Sequence, residues 1–202
     1  MPLSEKFDIL YADPPWEYGN TQFTTTGTKL QTGGAETHYP TMSLARLKRL
    51  RVGDLAAPDS LLFMWTSSPH LPQACALMEA WGFEYVTVAF VWDKVKVNPG
   101  NYTMSQCELC LVGKKGRIPQ PRGARNIRQL VVAERTAHSE KPEEVRKRIN
   151  LMFPTQRKVE LFARRRVPGW HAWGNEVRSS VSVPNGGQRA DRRRYPDRSG
   201  VR

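Results

Sequence analysis

The feature that most restricts what this chain can fold into is a short apolar run that ends abruptly. Phe7, Ile9, Leu10, Tyr11 and Ala12 are apolar or aromatic, Asp8 is the one exception, and the run stops at Asp13-Pro14-Pro15. Six residues suit a buried strand and are too few for a buried helix. Consecutive prolines fix φ and withhold two backbone N–H groups, so the strand must end there and open into a loop. In α/β sheets the loop at a strand's carboxyl end is where chemistry is placed.

The rest of the chain is punctuated in the same way. Residues 61–66, 84–92, 107–112, 130–133, 158–162 and 170–173 read as strands, being short, apolar and rich in β-branched and aromatic residues. Helices are expected between them. One runs from Ser43 to Leu50, capped by Ser43, with Leu44, Leu47 and Leu50 on one side. A second starts at Ser68-Pro69, buries Leu71, Cys75, Met78 and Trp81, and ends at Gly82. A third starts at Pro142, carries Glu143 and Glu144 in its first turn, and spaces Val145, Ile149 and Met152 along one face. Strands alternating with helices predict an α/β fold with a mostly parallel sheet flanked by helices. With 202 residues, one domain over 1–178 is expected, followed by a polar, Arg- and Gly-rich tail over 179–202 that is not expected to fold.

Charge narrows the class of partner. The chain carries 31 Lys and Arg against 19 Asp and Glu, a net +12. Six Arg and two Asp in the tail account for +4, which leaves +8 on the body. Such an excess favours a polyanion, because neutralising phosphates releases condensed counterions. Residues 113–129 hold Lys114, Lys115, Arg117, Arg122, Arg125 and Arg128 with no acid, and residues 93–106 add Lys94, Lys96, Asn98 and Asn101. Read as two loops near the carboxyl end of the sheet, they would form a nucleic-acid track with Lys94, Lys114, Arg117, Arg122 and Arg125 on it. Residues 17–37, with seven Thr and four Gly, read as a loop or lid.

No apolar stretch is long enough to span a membrane, and the first residues lack the layout of a secretion signal, so no membrane partner and a cytoplasmic location are expected. Cys75, Cys107 and Cys110 are expected as free thiols. Cys107 and Cys110 are spaced C-x-x-C, but no second pair or nearby His completes a metal site, and none is expected. Self-association into a homo-oligomer is left open.

Asp13-Pro14-Pro15-Trp16 carries the chemistry. The lone pair of an exocyclic ring amine is delocalised, so the nitrogen is a poor nucleophile until acceptors hold its N–H groups and favour a tetrahedral nitrogen. Asp13 can supply one acceptor and the Pro14 carbonyl another, while Pro15 removes a competing donor. Trp16 offers a face on which a flipped base could stack. The alternative is that Pro14-Pro15 only end a strand and Trp16 packs in the core.

The sequence resembles the DPPW family of adenine N(6)-methyltransferases, which includes the catalytic subunit of the eukaryotic messenger-RNA adenosine methyltransferase and compact bacterial and phage members. The likeness runs from about Phe7 to Val177. Beside Asp13-Pro14-Pro15-Trp16 it includes His38-Tyr39-Pro40, Leu62-Phe63-Met64-Trp65, Glu108-Leu109-Cys110, Ser139-Glu140-Lys141-Pro142, Lys158 to Arg164 and Trp173-Gly174-Asn175-Glu176. It implies a Rossmann-like fold that binds S-adenosylmethionine, permuted so that the catalytic motif precedes the donor-binding motif. That order accounts for the missing G-x-G-x-x-G.

By the same resemblance Lys141, Arg164, Asn175 and Glu176 contact the donor, Glu160 is a donor-binding candidate that otherwise pairs with a neighbouring base or closes a strand-end ion pair, and Asp13 lies near donor and acceptor. Tyr39 lines the pocket or packs a loop. Glu108 positions the adenine or makes a structural ion pair. The compact body resembles the bacterial and phage members, so DNA is expected as substrate ahead of RNA, with a silent binding subunit as the third reading.

Overall fold

The computed structural model describes residues 5–17, 22–23, 29–30, 41–99, 102–136 and 140–186. Nine strands are present among them: β1 Phe7–Ala12, β2 Gln22–Phe23, β3 Lys29–Leu30, β4 Ala56–Thr66, β5 Glu84–Asn98, β6 Ser105–Lys115, β7 Leu130–Val132, β8 Lys158–Leu161 and β9 His171–Trp173. The helices are α1 Leu44–Arg49, α2 Leu71–Ala80 and α3 Glu143–Met152. Seven strands form one sheet in the order β7-β5-β6-β4-β1-β8-β9, and β2 pairs separately with β3.

β1 lies inside this sheet, hydrogen-bonded in parallel to β4 on one side and β8 on the other. Both of its faces are therefore covered, which is why its sequence is an almost unbroken apolar run. Leu10 and Ala12 face the core beneath α1 and α2, with Leu47, Leu77, Met78 and Trp81. Ile9 and Tyr11 face the core beneath α3, with Val145, Ile149 and Phe153. The result is three layers, α1 and α2, sheet, α3, as the α/β expectation requires.

The sheet is mostly parallel, as expected, and three features refine or depart from the sequence reading. First, β6 is antiparallel to both β4 and β5, although every other pairing in the large sheet is parallel. Second, residues 93–106 are not simply a loop. β5 continues through Asn98 and β6 begins at Ser105, so most of that span is a hairpin. Its polar residues hid the strands because the apolar pattern stops at Trp92.

Third, the chain stays packed past residue 178. The Ser180 N–H donates to Ala172, the Arg51 N–H to Pro184 and the Gly186 N–H to Arg49, each at 2.8 Å, and Val183 is buried. The expected boundary before Ser179 therefore falls inside packed chain, and the tail from 187 onward lies outside the described residues.

Candidate active site

The carboxyl end of β1 delivers Asp13, and the turn that opens α3 delivers Lys141 across from it. Lys141 Nζ lies 2.9 Å from Asp13 Oδ2 and 3.3 Å from Glu108 Oε2. The other Glu108 oxygen takes Lys94 Nζ at 3.3 Å. Asp13, Lys141, Glu108 and Lys94 thus form a chain of alternating charge, drawn from four segments distant in sequence and mostly shielded from water.

Shielding makes each pairing matter more, since an unpaired charge in such a place would be costly. Burial alone would lower the Lys141 pKa. Asp13 and Glu108 outweigh it and hold the ammonium above the ordinary lysine range. Burial would raise Glu108, but Lys141 and Lys94 together pull it below the usual carboxylate value. Lys141 also lies 5.8 Å from the centre of the Trp65 ring, whose indole N–H donates to the Tyr11 hydroxyl at 2.6 Å.

A second buried pair borders the first. Arg146 Nη2 donates to both oxygens of Glu160 at 2.8 Å, and the same guanidinium reaches Glu143 and lies over the Tyr11 and Trp170 rings. Its Nε is buried without a hydrogen-bond partner. Burial lifts Glu160 above its ordinary value against the pull of Arg146. Tyr11, Asp13, Lys141, Glu160, Phe162 and Arg164 line a polar pocket of about 40 Å³ between the two networks.

The segment beyond β8 closes one side of this pocket. Phe162 adopts φ +61°, a left-handed conformation unusual for a bulky residue, and its ring lies stacked on Trp81 and edge-on to Trp173. A Cβ on Gly174 would sit 2.1 Å from the Ala163 carbonyl oxygen, so only glycine lets residues 174–176 lie this close to 163–164. That approach sets Glu176 4.0 Å from Arg164 Nε.

Against this geometry the chain can be compared with known proteins. It matches the MT-A70 family over residues 7–176. It is 47% identical over 195 residues to the type II methyltransferase M.MunI of Mycoplasma sp, covering 91% of this chain and 84% of that protein. The chain belongs to the MT-A70 family. It is also 28% identical to the human N(6)-adenosine-methyltransferase catalytic subunit METTL3 and 30% identical to the Arabidopsis thaliana N(6)-adenosine-methyltransferase MT-A70-like protein. Those matches cover 95% and 94% of this chain but only 32% and 26% of the relatives, so it spans about a third or less of each. This MT-A70 chain is an adenine N(6)-methyltransferase whose methyl donor is S-adenosylmethionine.

The residues present suit that donor. It offers a carboxylate, an ammonium, ribose hydroxyls and an adenine edge, and the pocket offers Lys141 and Arg164 as cations beside Asp13 and Glu160 as acceptors. The structure brings Asp13, Lys141, Glu160 and Arg164 around one pocket, with Glu108 one ion pair away and Glu176 beside Arg164. Asn175 is exposed on the neighbouring turn. Tyr39 lies outside the described residues.

Other expected site residues of the MT-A70 chain stand elsewhere. Trp16 is 7% exposed, stacks on His70 at 5.7 Å and donates through Nε1 to the Trp65 carbonyl. Its face is spent on the core, which corrects its expected part as a stacking platform for a base. The Pro14 carbonyl accepts the Trp16 N–H at 2.9 Å and the Pro15 carbonyl accepts the Met42 N–H at 2.8 Å, so the prolines fix this turn as expected.

Lys94 is buried behind Glu108 and is not an exposed phosphate contact. The basic segment after β6 is displaced further. Because β6 runs antiparallel, Glu108 lies at the catalytic end and Lys114 six residues away at the amino end, roughly 20 Å at about 3.3 Å per residue. There Lys114 pairs with exposed Glu84, the Arg117 N–H donates to Asp59, and Arg122 and Arg125 border an apolar pocket. None of these four reaches Asp13.

Sequence reasoning missed Arg146, Tyr11 and Trp65. A usable signal existed for Arg146, which interrupts the apolar stripe of α3 between Val145 and Ile149 and is buried there. A cation on the core-facing side of a helix requires a buried acid opposite, and Glu160 is that acid.

Proposed function

We propose that the chain methylates N(6) of adenine in DNA, in the cytoplasm, at a site organised by Asp13. The observation that carries this is the Asp13–Lys141–Glu108 network, which ties the Asp-Pro-Pro turn to a buried cation at the mouth of the donor pocket. S-adenosylmethionine, when bound, supplies an electrophilic methyl group on a sulfonium sulfur. Lys141 and Arg164 would hold its carboxylate, and Asn175, Glu176 and Glu160 would hold its hydroxyls and polar edges.

Asp13 and the Pro14 carbonyl accept the two N–H groups of the target amine. A carboxylate has about four acceptor sites, so Asp13 can hold Lys141 and an amine N–H together. Lys141 stays charged throughout the neutral range, which keeps Asp13 an acceptor in place. The rate then comes from orientation and fixed charge, with no covalent enzyme intermediate.

DNA is favoured over RNA by the relative that matches nearly end to end, a type II methyltransferase, whereas the adenosine-methyltransferase relatives are aligned over a third or less of their length. The net +12 suits either polymer. Among the described residues no helix is long and apolar enough to cross a membrane. The test uses purified protein with labelled donor on DNA and RNA, followed by methylation-sensitive sequencing of DNA from cells that express it. Methylated adenine at one recurring DNA sequence is expected. Transfer to RNA alone overturns the substrate assignment.

A further inference from the structure

Arg146 puts a full charge where α3 otherwise buries apolar side chains. It stands between Val145 and Ile149 and is 7% exposed. Its Nη2 donates to both Glu160 oxygens, its Nη1 donates to Glu143, and its Nε is buried with no hydrogen-bond partner. As a means of stabilising a fold this is a poor choice. The desolvation of two buried charges offsets much of their attraction, the orphaned donor adds to the cost, and an apolar pair of similar volume is often as stable. What the pair does supply is a carboxylate fixed in place, and that carboxylate lines the donor pocket.

The surroundings of Glu160 make that partner matter. Burial, Asp13 and Glu143 all push its pKa up, and Arg146 opposes them by charge and by hydrogen bond. The other charged or titratable groups on the pocket are Tyr11 from β1, Glu140 and Lys141 ahead of α3, and Arg164 and Arg165 beyond β8, while β9 sets Ala172 opposite Glu160. No histidine is among them. Arg146 is itself held in turn. Its guanidinium carbon lies 5.7 Å from the centre of the Tyr11 ring and 6.0 Å from that of Trp170, and Glu143 also takes Arg165 Nη2 at 2.7 Å. A carboxylate has about four acceptor sites, and the contacts from Arg146 leave part of that capacity on Glu160 open to the N–H or O–H groups of a ligand.

We infer that Arg146 is a positioning residue for the methyl donor, acting through Glu160 by fixing the place and the charge of the carboxylate that the donor meets. The inference rests on the reading above that Glu160 holds the donor. Without Arg146, a shielded carboxyl beside Asp13 and Glu143 takes up a proton more readily, and a protonated carboxyl offers an O–H where the donor needs an acceptor. Donor binding then has to expel that proton, and it weakens as pH falls. A purely structural Arg146 behaves differently. It ties α3 to β8, and its loss loosens the pocket to the same degree at every pH.

The test is calorimetric titration of the full chain with S-adenosylmethionine across the neutral range, in PIPES and in Tris, whose heats of ionisation differ. Parent and variant are compared at each pH, so that titration of the donor's own amino group cancels. Arg146→Met is expected to bind about tenfold more weakly than the parent at the acid end, with the gap narrowing as pH rises, and to release more proton on binding, read as a larger difference in heat between the two buffers. A second arm uses Glu160→Gln with and without Arg146→Met. Because the double variant leaves neither charge unpaired, this arm can be measured even if Arg146→Met alone does not fold. Glu160→Gln is expected to weaken binding about tenfold, and adding Arg146→Met to change it by no more than about twofold, since a residue that acts only through Glu160 has nothing further to lose. No loss in Arg146→Met, an equal loss at every pH with no extra proton released, or a further large loss in the double variant overturns the inference. If Glu160→Gln binds the donor as tightly as the parent, the donor reading of Glu160 itself falls, an outcome distinct from the others.

Discussion

The two ends of the sheet hold their positive charge in opposite ways. At the carboxyl end Lys94 and Arg146 are buried and Lys141 is mostly shielded, and each is matched to a carboxylate within 3.3 Å. At the amino end Lys114 meets a largely exposed Glu84, and Arg122 lies 5.6 Å over the Phe153 ring with its Nε lacking a hydrogen-bond partner. The first arrangement fixes atoms. The second contributes a field that salt screens within about 10 Å. A net charge read from a sequence counts both alike, although only the first can orient a reacting group.

The sharpest way to break the comparison is at Asp13. Asp13→Asn keeps the shape of the side chain and an oxygen for Lys141, but removes the negative charge offered to the amine. Turnover should fall by about 10²–10³-fold or more, while the unfolding free energy falls by about 1–3 kcal/mol, because Lys141 keeps Glu108 as a partner. Single-turnover methyl transfer and a denaturant melt measure the two effects. Full activity in this variant would show that the carboxyl end holds charge without using it.

Lys141→Met should cost stability as well, about 3–5 kcal/mol, because it leaves Asp13 and Glu108 shielded from water with one of their cations gone. Lys94→Met cuts less deeply and can be followed by pH. Glu108 is held below its unfolded value of 4.5, so its contribution to stability is present above that value and is lost as pH falls through the lower folded one. Removing Lys94 takes away one of the two opposing cations and moves the folded pKa up. Thermal melts of the variant should therefore show a smaller acid-dependent loss of stability than the parent, complete at a higher pH, with the curves converging in strong acid. Identical acid limbs would mean that Lys94 does not tune Glu108.

How much of this was legible in the sequence follows the same division. β1, its abrupt end and the placing of Asp13 were readable because burial on both faces leaves an apolar run, and two prolines leave no alternative to a turn. The helices were readable from spacing, and α3 even from its acidic first turn. The direction of β6 was not. Cys107 to Val112 would read the same in either direction, and orientation is decided by long-range pairing with β4 and β5. That one reversal carried Lys114 and Arg117 from the expected catalytic end to the opposite one. Lys94 was misplaced for a related reason, since nothing local distinguishes a lysine in a loop from one turned inward to Glu108. Trp16 fits the strand-ending motif equally well as a platform or as core, and its stacking on His70, 54 residues away in sequence, settled which.

The smallest expected effect sharpens the comparison from the other side. Replacing Lys114 and Arg117 by Gln should leave kcat unchanged and the melt within about 0.5 kcal/mol, because both are exposed or half-exposed and neither reaches Asp13. DNA affinity at low salt should weaken only slightly. If these residues act through their field alone, the slope of log affinity against log salt changes by less than one. If DNA instead wraps round to the amino end and each residue neutralises a phosphate, the slope falls by nearly two and affinity drops similarly for every sequence tested. A salt titration of the parent and the double variant on one duplex separates these cases, and it decides whether the amino end is a bystander or a second part of the DNA path.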